Sequence, residues 1–273
     1  MWAANMDLEE YSFVKKAIKK TLNIDLDHYK DEQMRRRLDS WLARSFASHW
    51  EEYFRRLSSD EKETERFRDY LTINVSAFFR DLERWNALRE NVMPELLQKA
   101  LQLRPNDAGL RVWSAGCSIG AEPYTLAIML DELSSARRHQ ILATDLDRGA
   151  LAKAKAGGPY TSEEVQNVSA PQRAAYFEPG GPPFYVKPSL GKKIAFQEHN
   201  MLDGAYPAGM DLIVCRNVVI YFTTETKEML YRKFFQALRP GGILFVGATE
   251  IIPRPQDIGF RSYGISFYKR PEI

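Results

Sequence analysis

Apolar residues recur at helical spacing through the first third of the chain and then give way to short, solid apolar runs. Phe13, Val14, Ala17, Ile18 and Leu22 mark one amphipathic helix, since residues three and four apart share a face. Met34, Leu38, Trp41 and Leu42 repeat the spacing, Tyr53, Phe54 and Leu57 mark a third helix, and Phe67, Tyr70 and Leu71 a fourth. Neither proline nor glycine occurs before Pro94, so no breaker interrupts residues 7 to about 90. The pattern predicts a small helical bundle.

From Leu110 onward, strands alternate with helices. The apolar runs predict strands at 110–114, 140–145, 194–198, 210–215, 242–247 and 265–269, with helices at 121–134, 147–156 and 224–238. Such alternation implies a mostly parallel, doubly wound α/β sheet. The stretch 157–192 breaks the rhythm with Gly157-Gly158-Pro159, Gly180-Gly181-Pro182-Pro183 and Pro188, and reads as an insertion with a small helix and a short hairpin. The expected organisation is a helical domain over 1–82, a linker helix over 83–109 and the α/β domain over 110–273.

Composition changes this picture little. The 273 residues are 44% hydrophobic, enough for a sizeable core, and the net charge of +2 singles out no class of partner. Cys117 and Cys215 have no metal-site spacing and the four histidines are scattered, so a reduced cytoplasmic protein without a metal is expected. No apolar run reaches the length of a membrane span, and the first residues do not resemble a signal peptide.

Candidate chemistry lies at the strand ends. Arg111 to Ser114 ends a strand, Ala115-Gly116-Cys117-Ser118-Ile119-Gly120 is a small-residue loop, and Glu122 stands at the start of the following helix. Such a loop lets bare backbone approach a nucleotide-like ligand. About twenty residues on, the next strand ends in Asp145, a carboxylate placed to take both hydroxyls of a ribose. The loop lacks lysine and carries Glu122, which suits a cationic ligand group better than a pyrophosphate. A nucleoside bearing an amino acid fits, and S-adenosylmethionine is that molecule.

Five segments carry a resemblance. They are Asn74-Val75-Ser76-Ala77-Phe78-Phe79-Arg80-Asp81, Trp113 to Thr125, Ala143-Thr144-Asp145-Leu146-Asp147, Asp211 to Phe222, and Leu238-Arg239-Pro240-Gly241-Gly242. In this order and spacing the chain, from about residue 10 to 270, closely resembles the CheR family of chemotaxis receptor glutamate O-methyltransferases. The resemblance implies a class I methyltransferase-like sheet with a small inserted β-subdomain, preceded by a helical domain that contacts the receptor. It implies that Glu122 holds the amino group of the cofactor, Asp145 the ribose, and Asn200 and Met201 the adenine. Asn74, Ser76 and Arg80 match the family's Asn-x-Thr-x-Phe-Phe-Arg motif, with serine here for threonine. Arg216 and Asn217 follow a strand end where α/β sheets bind ligands, and Tyr221 is implied beside the methyl-transfer centre. Many relatives carry paired acids where this chain reads Ala121-Glu122.

The resemblance thus implies a cytoplasmic enzyme that methylates glutamates of a chemoreceptor-like coiled-coil protein, with Arg80 and Tyr221 as catalytic residues and S-adenosylhomocysteine as product. A non-catalytic binding protein on the same fold, or a methyltransferase for another substrate, are the alternatives. Lys30, Arg37 and Arg44 are spaced seven apart and, with Arg36, would present one basic helix face to an acidic receptor helix; a solvated face is the plainer reading. Nucleic acid is not expected as a partner, and a monomer is. Family members that capture a receptor's C-terminal peptide carry an arginine–glycine turn in the insertion. Here that place reads Glu178-Pro179-Gly180-Gly181-Pro182-Pro183, so independence of such a peptide is expected.

Overall fold

Short polar side chains start the helices where the pattern places them. Asp7 accepts the N–H of Glu10 and caps α1 (Leu8–Leu22), and Asp60 accepts that of Glu63 to cap α4 (Glu61–Leu71). Between them lie α2 (Asp31–Leu42) and α3 (Trp50–Leu57). The computed structural model describes residues 6–72 and 75–272. The chain divides into two compact units, Met1–Ile73 with Ile220–Glu228, and Asn74–Val219 with Met229–Ile273.

In the first unit the apolar faces meet in an aromatic cluster. Trp50 stacks on Phe54 with ring centroids 5.6 Å apart, and Phe67 meets Tyr53 edge-on at 5.2 Å. The segment 220–228 is sewn on by backbone: Lys30 N–H donates to the Tyr221 carbonyl at 3.0 Å and Thr223 N–H to that of His28 at 2.9 Å. The basic run does not form one helical face. Helix α2 spans only Asp31–Leu42, so Lys30 is its N-cap and Arg44 lies in the turn beyond it. Arg37 is drawn inward, where its guanidinium donates to the Tyr70 carbonyl and lies 4.6 Å from the Tyr70 ring centre. Lys30, Arg36 and Arg44 remain exposed, Arg36 opposite Glu32 at 3.8 Å and Arg44 donating to Ser40 Oγ at 2.9 Å.

In the second unit, helices α5 (Leu82–Ala87) and α6 (Met93–Leu103) run together through a π turn at Leu88–Val92. They bury Trp85, Leu88, Val92, Met93 and Leu96 in the core of that unit. The division therefore falls at Ile73 rather than at 82, and 83–109 is core helix rather than linker. The sheet runs in the order β3-β2-β1-β4-β5-β7-β6. Its strands are β1 (Arg111–Ala115), β2 (Gln140–Asp145), β3 (Ile194–Glu198), β4 (Met210–Cys215), β5 (Leu238–Val246), β6 (Arg261–Ser262) and β7 (Phe267–Lys269). The first five pair in parallel, whereas β7 runs antiparallel to β5 and to β6.

Strand β5 starts four residues earlier than expected, because Pro240 and Gly241 are absorbed at a register shift against β4. The two-residue β6 is too short for any periodic signal. Helices α7 (Ala121–Ser134), α8 (Arg148–Ala156) and α11 (Thr224–Ala237) match the expected spans closely. The insertion holds two short helices, α9 (Ala170–Tyr176) and α10 (Pro188–Gly191). Its expected hairpin is reduced to the isolated bridges Tyr160–Phe184 and Phe177–Val186.

A buried charge knot closes the end of the sheet where β1 and β4 begin. The Asp211 side chain is fully buried and accepts from Arg104 Nη2 at 2.6 Å, from Arg239 Nε and from the Arg111 N–H at 2.8 Å. Removing one partner of such a cluster leaves uncompensated buried charge. Asp211→Ala is expected to cost about 3–5 kcal/mol of stability; a denaturant midpoint within about 0.5 kcal/mol of wild type, an ordinary surface effect, would refute this.

Candidate functional site

Strand order reverses between β1 and β4, and the crevice beyond their carboxyl ends is where an open α/β sheet takes a ligand. After β1 the chain turns sharply. Gly116 and Cys117 N–H both donate to the Thr144 carbonyl, at 2.8 and 2.9 Å. Gly116 has φ +82°, and a Cβ there would lie 2.6 Å from Val218 Cγ2. Gly120, at φ +89°, abuts Ala154 just as closely, with 2.8 Å left for an added Cβ. Both glycines are required by close approach as well as by backbone conformation.

Asp145 closes this loop. Its Oδ2 accepts the Ser118 N–H at 2.7 Å and its Oδ1 the Asp147 N–H at 2.9 Å. The Leu146 N–H also acts on this carboxylate. Burial raises the Asp145 carboxyl above its ordinary range, against the pull of those N–H groups. Asn200 and Met201 follow β3, which pairs with β2, and His199 N–H donates to the Asp145 carbonyl at 2.9 Å. The Asn200 side chain bridges the Leu202 N–H and Asp203.

Glu122 sits in the first turn of α7 and accepts from Ser114 Oγ at 2.7 Å. Burial pushes its carboxyl up to about 7, opposed by the charge of Arg216 and the Ser114 hydrogen bond. A carboxyl so poised gains a full charge when a cation arrives. That is the acceptor an amino-acid ammonium needs, and with Asp145 it fits S-adenosylmethionine.

Arg216, expected as a ligand contact, is also tied to the protein's own groups. It is buried, donating to the Arg80 carbonyl at 2.9 Å and to Asp81 at 2.7 Å. Its guanidinium lies 4.8 Å from the Phe245 ring centre and 5.2 Å from that of Trp85. Arg216 therefore braces the loop that carries Arg80. Phe79 and Asp81 in this loop have positive φ, at 51° and 60°, a strained conformation for non-glycine residues. Phe78 and Phe79 anchor it in the core, and Phe79 N–H donates to Thr125 Oγ1 at 3.0 Å. The Arg80 side chain folds along the loop onto the Val75 carbonyl at 2.7 Å, and Ser76 is partly buried beside it. Asn74 lies outside the described residues.

Glu122, Asp145, Arg80, Ser76, Asn200, Met201, Arg216 and Asn217 all belong to the second unit, whereas Tyr221 belongs with the helical one. Sequence reasoning passed over Ser114, Asp81, Trp85 and Glu250. Glu250 had a faint signal, as an acid four residues past an apolar strand end; the others had none. Among the described residues no cluster of histidine, cysteine or acidic side chains could hold a metal ion, and no helix is long and apolar enough to cross a membrane.

The family description "CheR methyltransferase, SAM binding domain" matches residues 74–267, and "CheR methyltransferase, all-alpha domain" matches residues 9–72. A chemotaxis protein methyltransferase of Listeria monocytogenes is 40% identical over 96% of this chain and 98% of its own length. Chemotaxis protein methyltransferase 1 of Pseudomonas aeruginosa is 33% identical over 92% of each chain. The chemotaxis protein methyltransferase of Borreliella burgdorferi is 32% identical over 91% of this chain and 90% of its own.

A carboxyl raised from 4.5 to about 7 binds its proton more tightly in the folded than in the unfolded chain, so folded stability falls as pH rises through that window. Glu122→Gln keeps the Ser114 hydrogen bond and removes the charge. The ligand-free variant is expected to melt above wild type at pH 8 and level with it at pH 4.5, while losing affinity for S-adenosylhomocysteine. Equal Tm values at pH 8 in thermal unfolding would show that Glu122 carries no such strain.

Proposed function

The chain belongs to the CheR methyltransferase family, and from that premise we propose how its residues share the work of methylating a receptor. It is an S-adenosylmethionine-dependent enzyme that esterifies glutamate side chains of a chemoreceptor-like protein and releases S-adenosylhomocysteine. Family membership does not favour a non-catalytic binding protein or a different substrate. When bound, S-adenosylmethionine supplies an electrophilic sulfonium methyl group. Glu122 accepts the ammonium of the methionyl part, Asp145 the ribose hydroxyls, and Asn200 and Met201 contact the adenine. Asn74, Ser76 and Asn217 complete this pocket. The observation that carries the assignment is the pair Glu122, in the first turn of the helix after β1, and Asp145, at the end of the adjoining parallel strand β2, each an acid raised by burial.

A receptor glutamate is already ionised at neutral pH, so attack needs no general base. The protein's task is to hold the carboxylate in line and offset the cost of taking its charge out of water, several kcal/mol if left unpaired. Arg80 does this, and Tyr221 is the second catalytic residue of this reading. The strained, braced loop under Arg80 supports the role, because such strain collects at functional sites. Arg80→Ala is expected to slow methyl transfer about a hundredfold or more, as loss of a charged pairing does, and to weaken S-adenosylhomocysteine binding far less. Base-labile methyl counted on purified receptor measures the first and calorimetry the second. Normal turnover would remove Arg80 from the mechanism.

Receptor docking falls to the exposed cations of the helical unit, Lys30, Arg36 and Arg44, with Arg37 holding α2 to α4 beneath them. The insertion takes no receptor tail: its tip, 178–183, is exposed, carries Glu178 and three prolines, and Glu178 N–H is already used by the Tyr185 carbonyl at 2.8 Å. The enzyme works as a cytoplasmic monomer, a setting that suits two buried free thiols. Reversing Arg36 and Arg44 to glutamate is expected to raise the receptor KM several-fold at low salt, with the effect fading as salt rises. Deleting the receptor's last residues is expected to leave KM unchanged in the same assay. The opposite pair of results would move recognition to the insertion.

A further inference from the structure

Glu250 is a buried acid that the reading above does not use. It is 5% exposed and lies just past β5. Its Oε2 accepts the Asn217 N–H at 2.8 Å and the Gly247 N–H at 2.6 Å. Asn217 follows β4 and Gly247 follows β5, so one oxygen ties the loops leaving two paired strands. Asn217 is held at φ 60°, in the left-handed region that asparagine tolerates. Space for the carboxylate comes from Gly247, where a Cβ would lie 2.5 Å from Oε2 and 3.0 Å from Asn217 N. The next residue, Val218, is the wall against which Gly116 of the cofactor loop packs.

A neutral amide would tie the two loops less tightly than a carboxylate does. Here the second oxygen, Oε1, is buried with no hydrogen-bond partner among the described residues, a costly placement for a charged group. The charge has a nearby use. Arg216, Glu250 and Arg80 act electrostatically on Glu122, which Ser114 also meets by its hydroxyl. Glu250 is the member of this set that opposes ionisation of Glu122, while the neighbouring thiols of Cys117 and Cys215 are held protonated by burial.

We propose that Glu250 is a positioning residue for methyl transfer: its carboxylate holds the Arg216–Val218 turn in shape and sets the field in which Glu122 meets the cofactor ammonium. The proposal rests on the reading of Glu122 and Asn217 as cofactor contacts. Glu250→Gln keeps an acceptor and the side-chain shape but removes the charge. In the full-length protein, turnover is expected to fall about tenfold, the loss of one charged hydrogen bond. The acid limb of S-adenosylhomocysteine binding, measured by calorimetry across pH, is expected to move to lower pH, because removing a like charge lets Glu122 stay ionised. Gly247→Ala displaces the carboxylate without removing its charge, and is expected to lose turnover with the limb unmoved. It also decides the matter if thermal unfolding shows that Glu250→Gln does not fold. Wild-type turnover in either variant, or an unmoved limb in Glu250→Gln, overturns the proposal while leaving the cofactor reading intact. A wild-type protein without affinity for S-adenosylhomocysteine removes that reading and the proposal with it.

Discussion

A guanidinium buried past the end of a parallel strand is the constraint around which the catalytic unit is arranged. Arg216 cannot reach bulk water, and burial lowers its hold on the proton against the charges of Glu122 and Asp81. A buried cation is tolerable only with partners in place. The Arg80 carbonyl and Asp81 supply them directly, Phe245 and Trp85 supply aromatic faces, and Glu122 and Glu250 supply compensating charge. Each partner is thereby fixed in turn. The loop below Arg80 cannot relax its two left-handed residues without uncovering Arg216, and the helix carrying Trp85 must pack flat on the sheet. Arg216, expected from sequence as one of several ligand contacts, thus also holds its neighbours in place.

The same economy explains why the loop after β1 lacks a lysine or a dense glycine run. Its backbone donors are spent inside the protein, on the Thr144 carbonyl and on Asp145. A phosphate would need those donors free. What the loop offers instead is a pair of burial-raised acids, at the ends of β1 and β2, that gain by meeting a cation and a diol. Electrostatics alone thus exclude a pyrophosphate cofactor here, and they do so without reference to any glycine signature.

The sheet was legible because the central parallel strands β1 and β4, buried on both faces, read as solid apolar runs, and β1 to β4 fall within a residue or so of their expected spans. The helical unit was legible from spacing and from the lack of breakers. The boundary at Ile73 was not, because helices α5 and α6 carry the same period as those before them, and periodicity records that a face is buried without saying against what. Arg37 shows the limit for charged residues: heptad spacing placed it on an exposed face, but the Tyr70 ring and carbonyl draw it in. Ser114, Asp81 and Glu250 escaped notice because their parts depend on which loops become neighbours, a property of strand order that local sequence does not encode.

An enzyme whose nucleophile arrives already ionised has a particular difficulty, for it must desolvate a carboxylate next to a cationic methyl donor without letting protein acids compete for that donor. The residues around Glu122 meet it by unequal burial. On the proposed reading Glu122, pushed up to about 7, meets the ammonium and Asp145 the ribose, while Glu250 Oε2 is taken by two backbone N–H groups. On the same reading Arg80, whose side chain folds along its own loop onto the Val75 carbonyl, is left to the substrate. Acids engaged in this way compete less for the methyl donor, and on this reading the receptor glutamate is the carboxylate brought in line with the methyl group. Selectivity for a substrate acid over the enzyme's own acids therefore follows from how each protein carboxylate is hydrogen-bonded, which is a property of the loops and not of the sheet that carries them.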